Sequence, residues 1–476
     1  SAELRDAGEA IGPMDTLIAG MVRDTGGTIV TPTETRDSAI AFNDGTIVAI
    51  AEAEQLPAAD EEVDVSGQLV MPGVVDPHTH IADPFSIDTF ETATRAAALG
   101  GTTSVLGFAF QAWNPKTGEF DDSHTLREAI DSAKARGSES LIDYGFHGAI
   151  TCQEEQALES LESVVSDGVP SIKMFTAYDV GLPNGFINQV FERLAELDGV
   201  AVLHTEDGSV CDTLTELFQT QKKGDAKHYP DSRPDYAEAM AAENCVRMAQ
   251  EAGTKYYGIH TSCRKSAEVI DRFREDGSQI RAETCYHYTV LEDSVYEELG
   301  NLPMIAPPIR TDDDIEAMFE HLLNGTIDVV STDHCAYTEA SKQVQNWWDS
   351  SFGANSLQTG FHVFHEEAVN KRGISYPSLV RMVSTAPAQI FGMPQKGTLE
   401  VGTDADVVVF DPEESWTIDE DDNESNADFS LYDGWELTGR VKQTYVRGKR
   451  LVEDSEVVGD TGYGQFLERE CPDWSA

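Results

Sequence analysis

From Pro84 onwards the chain alternates between two patterns. Segments with apolar residues three and four apart, such as Phe186, Val190, Phe191 and Leu194, are separated by short apolar runs such as TTSVLGF at 102–108. The first spacing gathers apolar side chains on one helix face; the second suits a strand buried on both sides. Helices are predicted over 88–99, 126–136, 154–166, 186–197, 234–251, 266–273 and 312–323. Strands are predicted over 102–108, 140–150, 170–175, 200–203, 255–259, 279–284 and 326–330. An earlier strand, LVMPGVVD at 69–76, is interrupted by Pro72 and Gly73. Asp88-Thr89-Phe90-Glu91 fits a capping box for the first helix. Alternation over roughly 250 residues indicates an α/β fold, either a (β/α)8 TIM barrel or a doubly wound sheet. No nucleotide-binding glycine sequence follows the first strand, so the barrel is the expected architecture.

Both ends read differently. Residues 14–70 and 395–455 carry short β-type runs, including the hairpin signal Asn43-Asp44-Gly45 and the stretches GTLEVGTDADVVVFD and GRVKQTYVRGKRLVED. These two segments are expected to pair into one small β-sandwich beside a barrel spanning 71–394. Residues 1–13 are polar and expected to be poorly ordered. Residues 456–476 read as an extended arm with aromatic anchors, for oligomer packing or free to fray.

Charge changes the picture. With 85 acidic against 33 basic residues in 476, the formal charge is −52. Nucleic acid would be repelled, while a folded chain this acidic needs counter-ions to relieve its self-repulsion. A protein adapted to molar cytoplasmic salt, from an extreme halophile, is the simplest expectation. No apolar run reaches the ~18 residues of a membrane span. The first residues, SAELRDAGEA, lack the pattern of a secretory signal. Seven scattered cysteines without CxxC spacing point to a reducing cytoplasm.

Chemistry gathers at the predicted strand ends, where barrel enzymes place their sites. His78 and His80 follow the first strand on alternate positions, which point the same way. A lone HxH pair is commonly an accident. Here Lys173, His204, His260 and Asp333 end four further strands, and chance does not readily place all six. The set reads as a metal site. A cationic lysine is out of place beside divalent metal. As a carbamate, Lys173 would become an anionic oxygen ligand able to bridge two ions.

With GVVDPHTHIADPF, SIKMFTAY, LHTEDG, IHTSC, APPIR, STDHCAY, KGTLEVGTDADVVVFDP and GQFLER in this order, the sequence resembles the cyclic amidohydrolases, within them the dihydropyrimidinase/hydantoinase branch. The likeness runs from about 15 to 469. It implies the barrel plus sandwich, a homotetramer or dimer, and two divalent ions, zinc by preference. His78, His80, Asp333 and carbamylated Lys173 would hold one ion; Lys173, His204 and His260 would hold the other. The implied reaction opens a cyclic amide or imide to an N-carbamoyl amino acid. A metal-bridging hydroxide attacks, Asp333 shuttles the proton and Tyr178 stabilises the oxyanion. Ala306 and Asn355 stand where the branch holds the ring imide by backbone groups, although FGANSLQTGFHVF departs from its usual pattern. His334 is expected to be structural, and His287 has no ligand-like placement. Ala82 occupies the position where dihydroorotase-like members carry an arginine, which argues against a carboxylated ring. Allantoinase is the nearer rival. A non-catalytic interaction protein of the same fold would have lost ligands, and all six are present.

Overall fold

The apolar stretch at 69–76 forms two strands in different sheets. Leu69–Pro72 pairs with Val407–Thr417, whereas Val74–Asp76 pairs with Thr102–Phe110. The change of sheet falls at Gly73, where any Cβ would collide with the Thr103 side chain. In this computed structural model residues 14–19, 27–56, 58–120 and 124–474 are described. The expectation for 1–13 lies outside them.

Eight parallel strands form the barrel in chain order: β1 (Val74–Asp76), β2 (Thr102–Phe110), β3 (Asp143–Ala149), β4 (Ser171–Phe175), β5 (Val200–His204), β6 (Lys255–Gly258), β7 (Ile280–Cys285) and β8 (Val329–Ser331). Strands β1 and β8 are joined through their continuations, Thr79–His80 with His334–Cys335, a parallel pair. The buried Asp76 carboxylate accepts from the Thr332 N–H at 3.4 Å, and the Thr332 hydroxyl donates to the His78 carbonyl at 3.3 Å. The seam of the barrel is therefore tied beside the first two histidines.

The chain ends meet as expected. Val407–Thr417 and Glu436–Val446 share a seven-stranded sheet with Leu69–Pro72 and Thr28–Val30. It packs on a four-stranded sheet from the first segment through Ile29, Ile40, Phe42, Val70, Val407 and Tyr445. Asp44 and Gly45 both take positive φ, 49° and 81°, as the predicted two-residue hairpin requires.

One expectation needs correction. The first helix, Phe90–Leu99, is capped by Thr89 with Thr92 as its reciprocal partner. Asp88 instead accepts from His334 Nε2 at 2.8 Å and from Ser425 and Asn426, a buried network that outbids the helix end. The C-terminal arm, read as carrying aromatic anchors, packs on the barrel as far as Trp474. Phe466 bridges to Tyr144, the Arg469 guanidinium donates to the Phe146 carbonyl and Ser171 hydroxyl, and Trp474 Nε1 donates to the Ile390 carbonyl. Trp474 joins Val75, Leu106, Val200 and Phe391 in the apolar floor of the barrel.

Candidate metal centre

At the opposite end of the strands, His78, His80, Lys173, His204, His260, Asp333, Tyr178 and Ala306 line one cavity of about 700 Å3. His78, His80 and Asp333 each offer a ligand atom within 4.8 Å of the others. His78 Nε2 lies 2.9 Å and His80 Nε2 3.8 Å from Asp333 Oδ1. Their other ring nitrogens are held from behind: Glu283 Oε1 lies 2.5 Å from His78 Nδ1, and Asp83 Oδ2 2.6 Å from His80 Nδ1. Such carboxylate partners fix which nitrogen faces a metal.

A second group faces the first. His204 Nδ1 and His260 Nε2 are 2.8 Å apart, and His204 Nε2 is engaged by Glu206 at 2.9 Å. Burial pushes His204 down to about 4 and His260 well below its usual value. Both rings are therefore neutral at neutral pH, the form that ligates metal.

Lys173 is buried between the two groups, its Nζ 4.6 Å from the Phe175 ring centre and 5.1 Å from that of Phe108. Among the described residues no carboxylate lies within 4.0 Å of it, so the plain alternative of a salt-bridged lysine does not hold. Burial pushes its amine down to about 7, against the pull of Asp333 and Glu283. His260, Asp333 and Tyr178 have positive φ of 38°, 47° and 66°. Backbone strain of this kind is costly in non-glycine residues and gathers at functional sites.

Other placements differ from the sequence reading. Asn355 is buried but is not among the residues lining the cavity; Gly353 lines it, and Asn355 borders a separate small space beside His334. His287, given no ligand-like position, lies with Cys285 and Asp333 in one of two further candidate clusters, because the helix Tyr286–Val290 starts directly at the end of β7. Glu283, Glu206, Asp83 and Arg233 were missed. Asp83 and Glu206 stand three and two residues past a singled-out histidine, and Glu283 is the one carboxylate in the strand Ile280–Cys285; those were the available signals. His334 bonds to Asp88 and Ser356, away from the cavity, as a structural residue should.

Comparison with known proteins shows the family. The chain is 33% identical over 464 residues to a D-hydantoinase of Streptomyces coelicolor, covering 93% of this chain and 97% of that one. It is also 33% identical over 454 residues to an Escherichia coli allantoinase, with the same coverage. The crystal structure of dihydropyrimidinase from Brevibacillus agri superposes with a TM-score of 0.91 at 30% identity, covering 97% of this chain and all of that one. Residues 69–451, barrel and both flanking strands of the mixed sheet included, match the amidohydrolase family model, and the chain belongs to that family.

Proposed function

We propose that this chain is a binuclear-metal hydrolase that opens the cyclic amide of 5-substituted hydantoins or dihydropyrimidines to N-carbamoyl amino acids. One observation carries the reading: a metal-ligating donor set shares its cavity with an apolar aromatic wall. Phe85, Phe120, Phe175, Val180, Ile305 and Phe352 supply that wall, and Lys173 is the one lysine or arginine lining it among the described residues. Such a wall accepts an apolar ring substituent. It offers no cation to a carboxylate and few hydrogen bonds to the ureido group of allantoin, which is the argument where identity to the two kinds of relative is equal.

The donor set fits divalent metal. His78 Nε2 and Asp333 Oδ1 point at one another across 2.9 Å, and His204 and His260 turn facing nitrogens towards each other. His78, His80 and Asp333 would hold one ion and His204 and His260 the other, with Lys173 bridging as its carbamate. Bound there, zinc would supply a water that is nucleophilic at neutral pH and would polarise the ring carbonyl. Asp333 would take a proton from the attacking water on a carboxylate oxygen and return it to the leaving ring nitrogen. Tyr178, 43% exposed and lining the cavity, turns its single hydroxyl hydrogen from Glu206 Oε2 to the carbonyl oxygen as charge develops. Backbone groups at Ala306 and near Asn355 hold the imide edge.

The same reading includes a cytoplasmic homotetramer or dimer, and adaptation to molar salt, the last of which the charge of −52 supports. No helix among the described residues is long and apolar enough to cross a membrane. The test is ring opening of 5-benzylhydantoin, dihydrouracil and allantoin by zinc-loaded protein in molar KCl with bicarbonate. The benzyl compound is expected to turn over fastest, and activity on allantoin alone would overturn the reading.

A further inference from the structure

Three donors converge on a single oxygen behind the cavity. Glu206 Oε2 receives His204 Nε2 at 2.9 Å, Arg233 Nη2 at 2.5 Å and the Tyr178 hydroxyl at 3.4 Å. Glu206 Oε1 takes Arg233 Nε at 2.9 Å, which makes the ion pair two-pronged. The Arg233 guanidinium also lies 4.8 Å from the Tyr178 ring centre. The ends of β4 and β5 are stitched beside it: the Thr176 hydroxyl donates to the Glu206 carbonyl at 2.8 Å and accepts the Glu206 N–H at 3.0 Å.

The pair is fixed from its far side as well. Arg310 Nη1 donates to the Arg233 carbonyl at 2.6 Å, and Arg310 is paired with buried Glu238 at 3.1 Å. A buried ion pair contributes little net stability over an apolar replacement, so stability alone is a weak account of four buried charges. Their geometry has a more specific use. A His204 whose Nε2–H is tied to a carboxylate presents Nδ1 as a lone pair, the nitrogen that faces His260. Tyr178, held at a strained φ of 66°, has Arg233 against its ring and Glu206 at its hydroxyl.

We propose that Glu206 and Arg233 form a positioning pair that couples the metal ligand His204 to the substrate-facing Tyr178. This rests on the function proposed above. Metal loading and tyrosine placement then depend on one another through a carboxylate and a guanidinium that never touch substrate.

Glu206→Gln keeps the side-chain shape and an acceptor oxygen but loses the charge. Chelator competition on the purified protein is expected to show the second zinc equivalent weakened roughly 10–100-fold, with the first unchanged. Arg233→Met is expected to lower kcat by a similar factor with KM nearly constant, and Arg233→Lys to recover only part. In the double variant with Tyr178→Phe, the combined loss in kcat should be far smaller than the product of the single losses. Wild-type metal affinity in Glu206→Gln, or losses that multiply in the double variant, would overturn the inference while leaving the proposed reaction intact. A wild-type protein that binds no zinc would overturn both.

Discussion

His78 sits between two carboxylates, 2.5 Å from Glu283 through Nδ1 and 2.9 Å from Asp333 through Nε2. Burial pushes the ring's pKa down, but Asp333 and Glu283 together raise it to about 9. A proton and a metal cation thus compete for the same ring. Zinc loading at pH 7 is expected to release close to one proton from this ring, and affinity should fall as pH drops below about 9. Calorimetry in buffers of different ionisation enthalpy counts that proton. Glu283→Gln removes one of the two carboxylates, so its pH dependence should move to lower pH.

Lys173 carries the second expectation. With its amine pushed down to about 7, the neutral, carbon dioxide-reactive share grows as pH rises through 7. Activation of metal-free protein by zinc should therefore be faster with bicarbonate, and faster at pH 8 than at pH 6. Lys173→Ala should lose at least about 100-fold in kcat, the scale of a lost electrostatic contact at the reacting centre. Mass spectrometry of the intact protein would detect the carbamate. Equal activation with and without bicarbonate would remove it from the account.

The aromatic wall predicts selectivity. Phe120 is 47% exposed and lines the cavity, so truncating it should cost little in folding. Phe120→Ser is expected to raise KM for 5-benzylhydantoin about tenfold, equivalent to ~1.4 kcal/mol. Dihydrouracil, which has no substituent to lose contact, should be unaffected. A parallel loss on both substrates would place Phe120 outside substrate recognition.

His362 sets an acid limit on stability. It accepts the Val441 N–H at Nε2 and engages the Gln358 carbonyl through Nδ1, both at 3.2 Å. Burial pushes it down to about 3. Its folded value lies below the unfolded one, so its contribution is complete above about pH 6.5 and is lost as pH falls towards 3. Urea unfolding between those limits should show a slope of up to ~1.4 kcal/mol per pH unit from this group. His362→Asn should flatten that slope.

Much of this was legible in the sequence for a definite reason. Strand ends are visible as the points where apolar runs stop, and a barrel collects all such ends on one face. His78, Lys173, His204, His260 and Asp333 could therefore be gathered without coordinates. The supporting carboxylates are harder to read. Glu283 meets His78 across the barrel from a position 205 residues away, and no local pattern encodes that meeting. Asp88 looked like a helix cap because caps are local, yet its actual partner, His334, comes from the far side of the seam. Asn355 was placed by motif position, whereas Gly353, two residues earlier, is the residue that reaches the cavity.

The mixed sheet has a consequence for how the molecule comes together. Val70 is registered against Val409, so its central strands are neighbours in space while the whole barrel sequence lies between them. Left as an open loop, a segment of that length makes the meeting of its ends entropically unfavourable. A folded barrel removes that cost by delivering both ends to one side. The sandwich should therefore close late in folding and act as a latch on a finished barrel. Loosening of the barrel seam would release both chain ends together, and their amide protons would exchange in concert with it.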